Sequence, residues 1–306
     1  MPTPDYQPLD ISAQCNSDAS VLGADQTIPV GACEYHGLPF VLGGDADRAV
    51  IAGGTGASMG EVTIPVGATA RTAIIAHRLV DSKVHEGDPI GRVCAGYPFV
   101  YADGPGHPLP MRGRLEIGII PSGWGQLALL AYPDTKDCLV ARHEGQWGGA
   151  GHRQTEATQA WPRDYYLWVW VNPHPERELA EIRVTPKGPT FYIGGVTLGH
   201  ANEHPFTRIA KKDVKLELLR EEDASKRFDL AVRVDRGTAT YPYPLPADAD
   251  ESFLADPFVG WGETKSNASS PAYVQIAATP SATVSVDQEG EEIGSVNWGE
   301  LQAEKE

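Results

Sequence analysis

Short apolar runs bounded by Gly, Pro or Asp recur along the chain, at 37–42, 61–66, 71–77, 92–102, 115–121, 165–172, 179–185, 190–198, 214–219 and 228–234. Runs this short, punctuated by turn formers, have the spacing of β-strands rather than of helices. The run Tyr165-Tyr166-Leu167-Trp168-Val169-Trp170-Val171 is almost wholly aromatic and β-branched. It lacks the polar alternation of a half-exposed strand, so it predicts a central strand covered on both faces. Asn172-Pro173-His174-Pro175 must end that strand, because neither proline can donate to a ladder and each biases its predecessor away from helix. Asp103-Gly104, after an alternating run, predicts a hairpin turn.

Helix signals are sparse. The clearest is Ala247–Leu254, where a Pro-rich stretch is followed by acidic residues and a short apolar pair. The charged stretch KLELLREED within 211–227 reads as a strand ending in a charged turn, with a short helix as the alternative. The pattern breaks at Leu219–Lys226 and restarts with FDLAVRVDRG and the Pro-rich TYPYPLPADAD. From Pro271 the alternation predicts three short strands with a Gly-containing hairpin at Gln288–Glu292, and the charged end GELQAEKE reads as frayed. No internal repeat at a solenoid or propeller period stands out. The pattern as a whole is all-β.

A length of 306 residues favours two domains. Hydrophobic residues make up 41% and charged residues 22%, ordinary values for a globular chain, while 33 Gly and 25 Pro fit many turns between short strands. Acidic residues outnumber basic ones 41 to 25, a formal net charge of −16, with no Lys/Arg cluster of the kind that neutralises phosphates. Nucleic acid and an anionic membrane surface are therefore not expected partners. The start MPTPDYQPLD lacks a basic and an apolar signal region, and no stretch approaches the ~18 apolar residues of a spanning helix. The expectation is a soluble, cytoplasmic chain, or an extracellular one had an upstream signal been removed. Cys15, Cys33, Cys94 and Cys138 are widely spaced, without a C-x-x-C pair, which argues against a zinc ribbon or a dithiol redox site and favours buried free thiols over disulfides.

The succession GLPFVL (37–42), VTIPVGATARTAIIAHRLVDS (62–82), CAGYPFVYADG (94–104), RGRLEIGI (112–119) and DYYLWVWVNPHPERELAEIRVT (164–185) resembles the galactose-binding-like, discoidin-type modules of large bacterial carbohydrate-active and related hydrolases. In such modules a "PF" strand opens the sandwich, another carries an Arg before an apolar run ending at His, one ends in "Y-x-DG", and an "N-P-x-P-x-x-x-I" element closes it. The resemblance spans Gln14 to Thr207, about two thirds of the chain. It implies an antiparallel jelly-roll β-sandwich at 14–207, and the pattern break then leaves a linker or bridging strand at 208–226 and a smaller β domain with a Pro-rich loop at 227–306. It also implies a module that binds glycans or packs as a spacer against a catalytic domain. A weaker resemblance links the whole chain to the region preceding the catalytic domain in some bacterial metal-dependent hydrolases of the polymerase-and-histidinol-phosphatase type, but the H-x-H and His/Asp cluster of that domain is not found here.

The segment Ser122–Arg163 is long, Gly-rich and aromatic, and carries Trp124, Trp147 and Trp161 with His143, Glu144, His152 and Arg153. Tryptophan faces beside polar groups suit the apolar face and hydroxyls of a sugar, so these seven residues form the expected ligand-binding set. The competing reading makes the tryptophans a hydrophobic cap on the sandwich end. His200 and His204 flank a carboxylate in HANEH, but zinc needs three protein ligands in fixed geometry, and Gly199 and Pro205 place this stretch in a loop. His77 ends an apolar strand and reads as a core histidine bonded to backbone. Asp45 and Asp47 offer the beginning of a structural calcium site, with an Asx turn as the alternative.

No cofactor and no catalytic set is expected. Glu144 and Glu156 form the only acid/base pair worth naming for a glycosidase, Ser122-Gly123-Trp124-Gly125 lacks the serine-hydrolase elbow, and Gly53-Gly54-Thr55-Gly56 lacks the dinucleotide-binding spacing. Three functional readings follow. The first is a non-catalytic carbohydrate-binding or accessory module, the second a glycoside or metal-dependent hydrolase with its site in 122–163, and the third a structural or assembly protein whose aromatic loops are buried against a partner domain.

Overall fold

The computed structural model describes residues 4–23, 26–123, 125–136, 138–143, 153–158, 160–206, 210–227, 229–240 and 272–303, of which 138–143 and 153–158 are described as backbone. The chain divides into two compact units, Met1–Lys136 with Ala160–Asn202, and Asp137–Gln159 with Glu203–Glu306. Both are built from antiparallel sheets, and the only α-helix among the described residues is α1 (Trp298–Ala303). No described helix is long and apolar enough to cross a membrane.

The first unit holds two sheets of six strands. One contains β1 (Tyr6–Leu9), β4 (Ile51–Gly53), β6 (Thr72–Leu79), β11 (Ala131–Pro133), β14 (Tyr166–Val171) and β16 (Phe191–Gly199), ordered β1-β16-β6-β14-β11 with β4 also on β16. The other contains β5 (Val62–Thr69), β7 (Val93–Gly96), β8 (Phe99–Tyr101), β9 (Gly104–His107), β10 (Pro110–Arg112) and β15 (Glu178–Pro186), ordered β10-β7-β15-β8-β9 with β5 on β15. The steps β5, β6, β8, β14, β15, β16 alternate between the sheets. The resulting orders β4-β16-β6-β14 and β5-β15-β8-β9 are the two interleaved four-stranded orders of a jelly roll, and every pairing between named strands is antiparallel.

Side-chain alternation explains why these strands meet. Ala73, Ile75 and Leu79 of β6, Tyr166, Trp168 and Trp170 of β14, and Phe191, Ile193, Val196 and Leu198 of β16 share one core with Ile64, Phe99, Ile182 and Val184 of the other sheet and with Tyr97, between β7 and β8. Phe99 and Trp170 stack at 3.8 Å between ring centroids. The opposite face of β16 is also buried, beneath the hairpin β2 (Gly31–Tyr35) and β3 (Leu38–Leu42): Thr197 Oγ1 donates to Pro39 O at 2.6 Å, and all nine residues of β16 are buried. Leu167 of β14 is likewise fully buried, which accounts for the absence of polar alternation in that strand. β5, by contrast, alternates and leaves its outer face to solvent. The hairpin between β2 and β3 turns on His36 and Gly37, at φ 55° and 76°, the doubly positive geometry of a two-residue turn.

The second unit contains the hairpin β12 (Cys138–His143) and β13 (Arg153–Thr158), and two three-stranded sheets. These are β17 (Lys212–Lys215), β20 (Tyr273–Ala278) and β19 (Gly237–Thr240), and β18 (Leu230–Val234), β21 (Thr283–Gln288) and β22 (Glu291–Asn297). Val232, Val234, Val274, Ile276, Ala278, Ala282, Val284 and Trp298 form its core. The hairpin from β21 to β22 turns on Glu289 and Gly290, both at positive φ, inside the predicted Gln288–Glu292. β22 ends its sheet among the described strands, and a bulge at Ile293 with Glu291 and Glu292 blunts that edge against further pairing.

The all-β sandwich followed by a smaller β unit is thus the observed architecture, with three corrections to the finer expectations. β1 pairs with β16, so the sandwich takes in residues before Gln14. The predicted strand 115–121 is an irregular turn, because Arg114 at φ 67° reverses the chain and the Glu116 carboxylate folds back onto the Arg112 N–H and guanidinium. The stretch 208–226, expected as a linker or bridging strand, contributes β17 to a sheet and then a 3₁₀ segment at Glu221–Ser225, which is no correction. The terminal segment forms α1 up to Ala303, anchored by buried Trp298 and by Asn297 Oδ1, which accepts the Glu300 N–H at 3.1 Å. The helix expected at Ala247–Leu254 lies outside the described residues.

Candidate ligand-binding end of the sandwich

The segment singled out in the sequence leaves the sandwich between two paired strands. β11 ends at Pro133, which is opposite Tyr166 at the start of β14. Just beyond Pro133, the carboxylate of Asp134 is 5% exposed and accepts three backbone N–H groups, from Arg163 at 2.7 Å, Asp164 at 2.8 Å and Tyr165 at 3.1 Å. Thr135 Oγ1 donates to Trp161 O at 2.7 Å. The two stalks of the excursion are therefore clamped together, and three otherwise orphaned amides are satisfied by one buried carboxylate. Burial, reinforced by the neighbouring Asp134, raises the pKa of Asp164 above the usual carboxylate range.

Trp161 is presented from this clamp with 38% of its surface exposed. Of the remaining expected ligand-binding residues, Trp124, Trp147, Glu144 and His152 lie outside the described residues. His143 and Arg153 are described as backbone and are directly opposite each other in the β12–β13 register. Glu156, on β13, lies opposite Val140. The same end of the sandwich, where β14 begins and β6 finishes, carries the segments 114–123 and 125–126. There Tyr166 donates from its hydroxyl to Ser122 Oγ at 3.3 Å, Arg78 donates to Ile120 O at 2.7 Å, and the Arg114 guanidinium donates to Gly125 O.

The other end of β14 holds a second constellation, built from the segments whose sequence pattern marks a hairpin turn and a strand stop. Tyr101 donates from its hydroxyl to Asn172 Oδ1 at 2.6 Å, and Asn172 Nδ2 donates to Ala70 O at 2.8 Å. The Arg177 guanidinium lies 3.9 Å over the Tyr101 ring and forks onto Asp103, holding that carboxyl below its usual range. His107 and His174 stack at 6.1 Å. The "Y-x-DG" and "N-P-x-P" segments are thus fastened to each other, and the proximity of YADG and NPHPER was hidden by the 71-position separation of the bonded pair.

The isolated candidates have ordinary environments. His77 is fully buried, with Nε2 3.0 Å from Glu116 O and Nδ1 3.3 Å from Tyr97 Oη, the backbone-bonded core histidine expected. Burial drives its pKa down to about 3. Asp45 Oδ1 accepts from the N–H groups of Asp47 at 3.1 Å and Arg48 at 2.9 Å, the Asx turn, and both Asp45 and Asp47 are exposed. His200 donates its backbone N–H to Asp5 O at 2.8 Å, and His204 Nδ1 lies 2.8 Å from Phe206 O. Among the described residues no group of three or more His, Cys, Asp or Glu could hold a metal ion. The glycine run 53–56 packs against Pro189 and Thr190, and its amides donate to Ser58 O, Gly188 O and Thr190 Oγ1, so they are not turned toward a phosphate. Cys15, Cys33 and Cys94 are free thiols, and burial raises Cys15 and Cys94 to about 11.

No protein-family model matches the sequence, and comparison with curated proteins and with solved structures finds no match.

Proposed function

We propose that this chain is a non-catalytic carbohydrate-binding or accessory β-sandwich module whose ligand sits at the sandwich end bearing Trp161. The observation that carries this reading is an exposed indole on a rigid base. Trp161 stands partly free while the backbone around it is tied by Thr135 and by the three amides on buried Asp134. An aromatic side chain has few torsions to order when a sugar's C–H face packs on it, and a tied backbone leaves fewer still, so less of the contact energy is lost to immobilisation. The resemblance to galactose-binding-like modules points to the same ligand class. A glycan array probed with the full chain and with Trp161→Ala tests it. Binding to one or more glycans that Trp161→Ala abolishes is expected, and an array without a hit for the intact chain would remove the reading.

A further inference from the structure

Among the described residues Arg114 is a cation without a counter-ion, in an acidic protein. Its guanidinium donates to Gly125 O, yet its buried Nε has no hydrogen-bond partner, and it makes no ion pair with any described carboxylate. The adjacent acid, Glu116, is committed to Arg112, receiving its backbone N–H at 2.9 Å as well as its guanidinium. Arg114 also sits at φ 67°, a conformation that side-chain-bearing residues seldom adopt. It is locked there by its N–H to Ile117 O at 2.7 Å and by its own carbonyl, which accepts the Leu129 N–H at 3.0 Å. Arg114 lines a cavity of about 50 Å³ together with Leu79, Ser82, Val84, Ile119 and Gln126. That space exceeds the roughly 10–15 Å³ one water requires, suits a single carboxylate, and is too small for a sugar ring.

We infer that this cavity is an anion subsite and that the bound saccharide is acidic, a uronate whose carboxylate enters the cavity against Arg114 while its ring remains outside. The inference rests on the carbohydrate reading. A guanidinium fork matches a carboxylate in two parallel hydrogen bonds, and the apolar walls strengthen that pairing by excluding water. Ser82 Oγ, which accepts the Val84 N–H at a long 3.4 Å, adds a hydroxyl at the rim.

The test is calorimetric titration of the intact chain at fixed salt with sodium polygalacturonate, with a neutral galactan and with sodium acetate, repeated for Arg114→Gln, Arg114→Lys and Trp161→Ala. Thermal unfolding of each variant checks that it is folded. The acidic polymer is expected to bind at least about tenfold tighter than the neutral one, a preference lost in Arg114→Gln and in Arg114→Lys, which keeps the charge without the fork. Trp161→Ala should weaken both polymers. Equal binding of the two polymers, unchanged by Arg114→Gln, would overturn the inference and leave the Trp161 reading standing. Acetate binding that Arg114→Gln removes, without binding of either polymer, would keep the anion subsite and sink the carbohydrate reading.

Discussion

Replacing His77 with glutamine probes how the core of the first unit responds to acid. His77 is fully enclosed between the two sheets, and because Glu116 O can only accept, Nε2 carries the single proton while Nδ1 receives the Tyr97 hydroxyl. Burial lowers its pKa from 6.5 to about 3. The unfolded chain therefore binds more protons than the folded one below pH 6.5, so the stabilisation from a neutral His77 is complete above that pH and shrinks as pH falls toward the folded value. Between pH 7.5 and 5.0 the loss from this one group is about 2 kcal/mol, taking 1.36 kcal/mol per pH unit over the interval below the unfolded pKa. Guanidinium chloride unfolding of the wild type and of His77→Gln at both pH values isolates it, because every other titrating group, including His36, which burial also holds low, is common to both proteins. The wild type should lose about 2 kcal/mol more than the variant over that interval. Parallel losses would refute the assignment of a neutral, acid-sensitive imidazole to the core.

Three further outcomes can be checked by unfolding and by thiol titration. Asn172→Ala should cost about 2–3 kcal/mol, since it strands the Tyr101 hydroxyl, the His174 N–H and Ala70 O together, and a change below measurement error would contradict that. Tyr165→Phe removes a buried hydroxyl that has no partner, so denaturant unfolding should find it neutral or stabilised by up to about 1 kcal/mol, whereas Gly194→Ala, whose Cβ would lie 2.2 Å from that hydroxyl and 2.3 Å from the ring, should be strongly destabilised. Cys15 and Cys94, with thiols raised to about 11 by burial, should resist a disulfide reagent at pH 8 in the native protein and react once it is unfolded, and rapid native reaction at both would contradict their placement.

What could be read from the sequence depended on whether a residue's role was local. β14 and its stop at Asn172, the turn before Gly104, the last three strands and the backbone-bonded His77 were legible, because each is set by side-chain period, by proline or by a turn preference within a few residues. β1 was not, since YQPL carries a proline and becomes a strand only through β16 at the far end of the unit. β9 and β10, GPGH and PMR, look like loop and are strands because β8 and β7 hold them. At the candidate site the sequence marked Trp161 as part of an aromatic stretch and left open whether it would be exposed or cap the sandwich end. Its clamp was not, because Asp134 gives no local sign that it will receive three amides some thirty residues away. Arg114 escaped notice for a similar reason, as nothing in RGRLEIGI announces a positive φ or a guanidinium without a carboxylate.

Which end of the sandwich takes the ligand is the decisive question. Calorimetric titration of the tightest-binding array glycan into the wild type, Trp161→Ala and the double variant His107→Ala, His174→Ala compares the two ends of β14 in one experiment. The prediction is at least about a tenfold loss of affinity in Trp161→Ala, with the double variant unchanged, as expected when one rigid aromatic anchor dominates a small site. Undiminished binding by Trp161→Ala, or its loss only in the double variant, would contradict it.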